Sequence, residues 1–143
     1  MSRFSLIYIG SFLILISIFS FFNIIYSYYF DIFLNIDAYT YSFFISLVLG
    51  IILIFFVKIN FKKILIYEKI ITVLFGYLFF PLIISLPFYL SINDISFLNC
   101  YFESISGFTS TGFTIFDNIK QIDTSLILWR STSQWIGGLY FLF

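Results

Sequence analysis

The chain has 143 residues, 62% of them hydrophobic and 10% charged, with a formal net charge of zero; an ordinary globular domain holds roughly 45–50% and about 25%. This balance excludes a soluble domain, and no basic cluster is large enough for nucleic acid. The absence of histidine excludes His-based triads, His metal sites and heme ligation by His; the single Cys100 excludes an intrachain disulfide or a cysteine cluster and reads as a small buried apolar residue.

The first element follows Arg3. The apolar run Phe4–Phe22 is 19 residues long, whereas a signal-peptide core is about 7–15 and ends at a small-residue cleavage site. The run therefore predicts a spanning helix that stays. A bilayer core about 30 Å thick needs roughly 20 apolar residues of helix. Three further segments meet or approach that length: about Tyr39–Val57, about Ile70–Leu90 with Gly76, Pro81 and Pro87 inside it, and one that begins near Thr124 and is still running at Phe143. Backbone groups cannot go unpaired in lipid, so these are helices. The predicted class is an all-α polytopic membrane protein, a non-enzyme.

Charge sets the orientation. Arg3, Lys58, Lys62, Lys63 and Lys69 are five of the seven cations, while the connection after the first helix carries Asp31 and Asp37 and no cation. The positive-inside rule places the N-terminus and the Lys-rich loop in the cytoplasm. Pro81 and Pro87 are expected to bend the third helix.

The outward segment, about Ser91–Asp123, is the anomaly. In "SINDISFLNCYFESISGF", Asn93 or Asp94 offers a helix cap, and about a dozen mixed residues follow up to Phe108. That helix is too short to span and too apolar for a solvated loop. It fits either a helix entering the membrane partway or one lying on the surface. "SGFTSTGFTIF", Ser106–Phe116, then packs five hydroxyls and two glycines into eleven residues. Non-helical backbone at membrane depth is tolerated only when buried in protein or lining a wet cavity. Its free carbonyls can replace the water shell of a cation, as in the TVGYG loop of potassium channels. Gly112 supplies the backbone freedom, and the C-terminal end of the half-helix adds partial negative charge.

"LPFYL" (Leu86–Leu90), "YFESISGFTSTGFT" (Tyr101–Thr114) and "LWRSTSQWIGG" (Leu128–Gly138) resemble the Trk/Ktr-type potassium uptake family, its Trk-type membrane pore subunit in particular. The resemblance implies four helix–pore-loop–helix repeats around one pore. Residues 1–66 would be an N-terminal transmembrane helix pair. Residues 67–143 would be the first pore repeat: outer helix about 70–90, pore helix about 95–108, filter 109–113 and the start of the inner helix about 124–143. The last helix is cut off within the membrane, so the chain reads as a truncated record of a longer protein. Thr109, Ser110, Thr111 and Gly112 would give backbone carbonyls to one quarter of the filter, with Phe113 and Glu103 in support. Gly112 matches the filter glycine that goes with potassium preference, and relatives with serine there tend to admit sodium. The resemblance further implies multi-pass residence in a bacterial inner membrane, potassium as transported substrate with no cofactor, and three partnering repeats. It also implies a homodimer and a cytoplasmic nucleotide-binding regulatory subunit.

Other residues have structural readings. Glu103 holds the filter by hydrogen bonds, attracts cations at its mouth or lies on an unremarkable exposed face. Arg130 snorkels outward or pairs with Glu103 or Asp123. Gly137-Gly138 permits close helix packing. Tyr140 stands where the family commonly has a small glycine, and its ring is expected to change local helix packing. Two other functions compete: a non-transporting membrane subunit or scaffold with 106–116 as an extracellular turn, and an intramembrane hydrolase using Ser106.

Overall fold

The computed structural model describes residues 3–55, 65–116 and 122–142. Among them run five helices: α1 Arg3–Tyr29, α2 Ile36–Phe55, α3 Ile66–Ser91, α4 Phe97–Phe108 and α5 Thr124–Phe141, with a 3-10 turn at Phe33–Asn35. The described residues are helical with no strand, and α1, α2 and α3 are long and apolar enough to cross a membrane. The 18-residue α5 is not among those three, its apolar run being diluted by Arg130, Gln134 and several hydroxyls. Val57, Lys58, Lys62, Lys63 and Phe143 lie outside the described residues.

Element boundaries moved where polar residues proved to be interior. α1 continues two turns past Phe22 because Asn23 and Ser27 face protein and are fully buried. Asn23 Nδ2 donates to the Phe19 carbonyl at 2.9 Å, which satisfies the donor end of its buried amide. α2 begins at Ile36, with Asp37 in the first turn where the helix dipole favours an anion. α3 starts at Ile66 and runs unbroken through Pro81 and Pro87. The cap of α4 is Ser96, not Asn93 or Asp94. Its extended backbone (φ −66°, ψ 148°) suits a cap, and its hydroxyl accepts from Asn99 N at 3.3 Å. Asp94 instead turns the chain in the left-handed region at φ 68°.

Beside an apolar core, many polar groups face inward and many large apolar ones outward, unlike a soluble fold. Ser17, Ser20, Ser42, Ser46 and Asn23 are buried, while Phe21, Phe22, Phe44, Val48, Ile51 and Leu74 are exposed. Without a hydrophobic drive between helices, small residues let backbones approach. Gly10 and Gly50 do this in the antiparallel α1–α2 pair, since a Cβ on either would stand 3.0 Å from the other's carbonyl oxygen. The side chains of Ser20 and Ser42 meet farther along the same seam, Oγ to Oγ 3.4 Å.

The start of α5 is tied to the hairpin. Asn35 Nδ2 and Tyr39 OH both donate to Ser125 Oγ, at 3.0 and 3.1 Å, and all three residues are buried. Trp129 Nε1 donates to the Ile84 carbonyl at 2.9 Å, fastening α5 to α3. The aromatic core gathers Phe12, Phe80, Phe108 and Tyr140. Tyr140 is accommodated at no cost in exposure: it is fully buried, and its hydroxyl donates to the Thr72 carbonyl at 2.8 Å.

Candidate functional site

α4 runs back along α3 and stops halfway. Its first residue, Phe97, has its ring 5.7 Å from that of Tyr89, near the end of α3. Its last, Phe108, lies 5.7 Å from Phe80 and 5.5 Å from Tyr77, near the middle of α3. At 1.5 Å per residue, α4 is about 18 Å long against about 39 Å for α3. The residues after Phe108 therefore emerge at mid-depth of a helix able to span the bilayer. The short segment after α3 is a returning half-helix and does not lie flat across the end of α3.

The exit from α4 is a Schellman turn. Ser110 N donates to the Gly107 carbonyl at 3.0 Å and Thr111 N to the Ser106 carbonyl at 3.1 Å, with Ser110 left-handed at φ 56°. Glycine normally takes that position, and a side chain there costs about 1 kcal/mol. Gly112 is left-handed again at φ 81°, with nothing within 4 Å of where a Cβ would stand. Backbone conformation, not crowding, demands glycine here.

Alternating φ signs expose a row of backbone. Thr109 has φ −83°, Ser110 and Gly112 are positive, and all residues from Thr109 to Phe113 are exposed. Among the described residues, no donor reaches the carbonyls of Thr109, Ser110 or Thr111. The Gly112 and Phe113 carbonyls are turned toward α5, where Arg130 Nη2 donates to them at 3.4 and 3.1 Å. The Phe113 carbonyl also accepts from Ser106 Oγ at 2.5 Å, while its ring is 69% exposed.

Behind this row sits an ion pair with a buried carboxylate. Glu103 is fully buried, and its Oε1 lies 2.6 Å from Arg130 Nε. The carboxylate also accepts from Thr114 Oγ1 at 3.1 and 3.2 Å and from Ile115 N at 3.0 Å. A buried carboxylate is tolerable only when paired and hydrogen-bonded in this way. It thereby joins α4, α5 and the returning strand of chain. Of the two partners open to Arg130, the structure selects Glu103; Asp123 caps α5 instead, accepting from Ser125 N at 2.9 Å.

Sequence reasoning gave no bracing role to two members of this scaffold, Ser106 and Thr114. The signal for Ser106 was its spacing, three residues after Glu103 on the same helix face. Its hydroxyl is committed to the Phe113 carbonyl and lies 3.1 Å from Thr111 Oγ1. It is placed as a brace for the turn.

No family model and no solved structure matches the chain. Curated relatives do. An uncharacterized cation transporter of Methanocaldococcus jannaschii is 42% identical over 55 residues, 38% of this chain and 12% of that protein. The Trk system potassium uptake protein TrkI of Halomonas elongata is 44% identical over 55 residues, 38% of this chain and 11% of TrkI. TrkG of Escherichia coli is 32% identical over 71 residues, 49% of this chain and 14% of TrkG. The matched stretches thus span between 11% and 14% of these relatives' lengths. The resemblance carried by the motifs is therefore matched by direct comparison: over part of its length, this helical membrane chain is similar to Trk system potassium uptake proteins.

Proposed function

We propose that the chain takes part in potassium transport across a cell membrane, as the first pore repeat of a Trk-type uptake system. On this reading residues 1–66 are a leading helix pair, and 67–143 hold outer helix, pore helix, filter and inner helix. Thr109, Ser110, Thr111 and Gly112 line one quarter of the filter with backbone carbonyls.

The observation that carries the reading is the exposed backbone row at mid-depth of α3, with three carbonyls free of donors among the described residues. Carbonyl dipoles attract a cation without the tight grip of a carboxylate, so an ion can be dehydrated and still leave. Glu103 and Arg130 hold the row from behind, neutralising each other, and neither is a ligand. Gly112 keeps a second lone pair on its carbonyl after meeting Arg130.

The whole transporter on this reading includes three further repeats, a second copy and a cytoplasmic nucleotide-binding regulator. The N-terminus and the Lys58–Lys69 connection face the cytoplasm of a bacterial cell. The chain performs no covalent chemistry.

Gly112→Ser tests the reading. A serine must adopt φ near 81°, which strains the turn. Rubidium and sodium uptake, normalised to the amount of protein in the membrane, should show a lowered rubidium preference. An unchanged preference at normal abundance would favour the non-transporting scaffold.

A further inference from the structure

Two of the points at which the end of α4 rests on α5 lie one turn apart. The first is Gly137. A Cβ there would overlap the carbonyl oxygen and carbon of Phe108, so the two backbones are in direct contact. The second is Tyr140, whose ring lies 5.6 Å from that of Phe108. Tyr140 is itself set in a notch over Gly76, where a Cβ would fall on its hydroxyl and Cζ. The Thr72 carbonyl accepts that hydroxyl at 2.8 Å, and Tyr8 OH donates to the Tyr140 carbonyl at 3.3 Å. The neighbouring Gly138 has nothing within 4 Å of its missing Cβ.

We infer that Gly137 and Tyr140 are positioning residues for ion selection, fixing the depth at which the Thr109–Gly112 turn is presented. The inference rests on the transport reading proposed above. Phe108 immediately precedes Thr109, and the Schellman hydrogen bonds make the turn move as one piece with the end of α4. A backbone-to-backbone contact cannot relax by changing a rotamer. A methyl group on Gly137 must displace the Phe108 peptide and carry the carbonyl row with it. The Tyr140 ring closes the other side, holding the Phe108 ring against Tyr77 and Phe80. Cation discrimination by carbonyls depends on where they stand, so these contacts reach the ion without touching it.

The test compares Gly137→Ala, Gly138→Ala, Tyr140→Phe, Tyr140→Leu and Gly112→Ser, each expressed from the chain's own locus. Initial rubidium and sodium uptake are read per unit of protein in the membrane. Gly137→Ala and Tyr140→Leu should lower the rubidium-to-sodium ratio several-fold. Gly138→Ala and Tyr140→Phe, which add no clash and keep the ring, should leave it near wild type. If Gly137→Ala fails to accumulate, Tyr140→Leu carries the test. Wild-type ratios in both, a shift as large in Gly138→Ala, or loss of both proteins from the membrane would overturn the inference. Gly112→Ser separates the two levels. If it shifts the ratio and the α5 variants do not, positioning fails alone; if it too is silent, the transport reading fails.

Discussion

Glu103 and Arg130 form a 2.6 Å ion pair between α4 and α5, with the carboxylate fully buried. The same guanidinium donates to the Phe113 and Gly112 carbonyls, so one side chain couples a buried charge to the exposed turn. Removing Arg130 strands the fully buried Glu103 carboxylate, at roughly 3–5 kcal/mol. Arg130→Ala should therefore lower thermal stability in detergent by an amount of this order. Arg130→Lys should keep part of that stability yet lose the Nη2 contacts, since an ammonium cannot reach carboxylate and carbonyls as a fork.

Ser125 accepts from two buried donors, Asn35 Nδ2 and Tyr39 OH. Ser125→Ala leaves both without an acceptor, and each orphaned group costs about 1–3 kcal/mol. Tyr39→Phe removes one donor with its partner still satisfied, and should cost less. Thermal unfolding of the two single variants and the double gives the coupling; additive losses would show that these bonds are not shared.

Ser110 holds the left-handed position of the Schellman turn at φ 56°. Ser110→Gly should raise stability by about 1 kcal/mol, because it removes a steric penalty that glycine does not meet. A destabilised variant would mean that the serine side chain contributes something beyond the described contacts.

Gly10 and Gly50 bring α1 and α2 so close that a methyl group on either would sit 3.0 Å from the other's carbonyl oxygen. Gly10→Leu and Gly50→Leu should each separate α1 from α2 and lower stability by about 1–3 kcal/mol through overpacking. Thermal unfolding in detergent reads the loss. Because both act on one contact, the double variant should lose less than the sum.

The helices were legible because lipid demands long apolar runs, and Phe4–Phe22 or Ile70–Leu90 can be little else. Their ends were less so. The predicted first helix closed at Phe22, but burial of Asn23 and Ser27 against protein lets polar residues continue a membrane helix. The cap of α4 went to Ser96 because Asp94 was needed for the turn before it. In the candidate site, Glu103, Gly112 and the hydroxyl-rich segment stood out by being expensive or unusual in an apolar chain. The pairing of Arg130 with Glu103 over Asp123, and the bracing by Ser106 and Thr114, depend on how α4 and α5 cross. Tertiary geometry of that kind leaves little trace in local pattern.

A cation path lined by the Thr109–Gly112 backbone can be seen directly with thallium, a heavy analogue of potassium. Anomalous diffraction from crystals of the assembled protein grown with thallium should place a peak against the carbonyls of Thr109, Ser110 and Thr111. Thallium bound elsewhere in the protein, with no density along that row, would contradict the account.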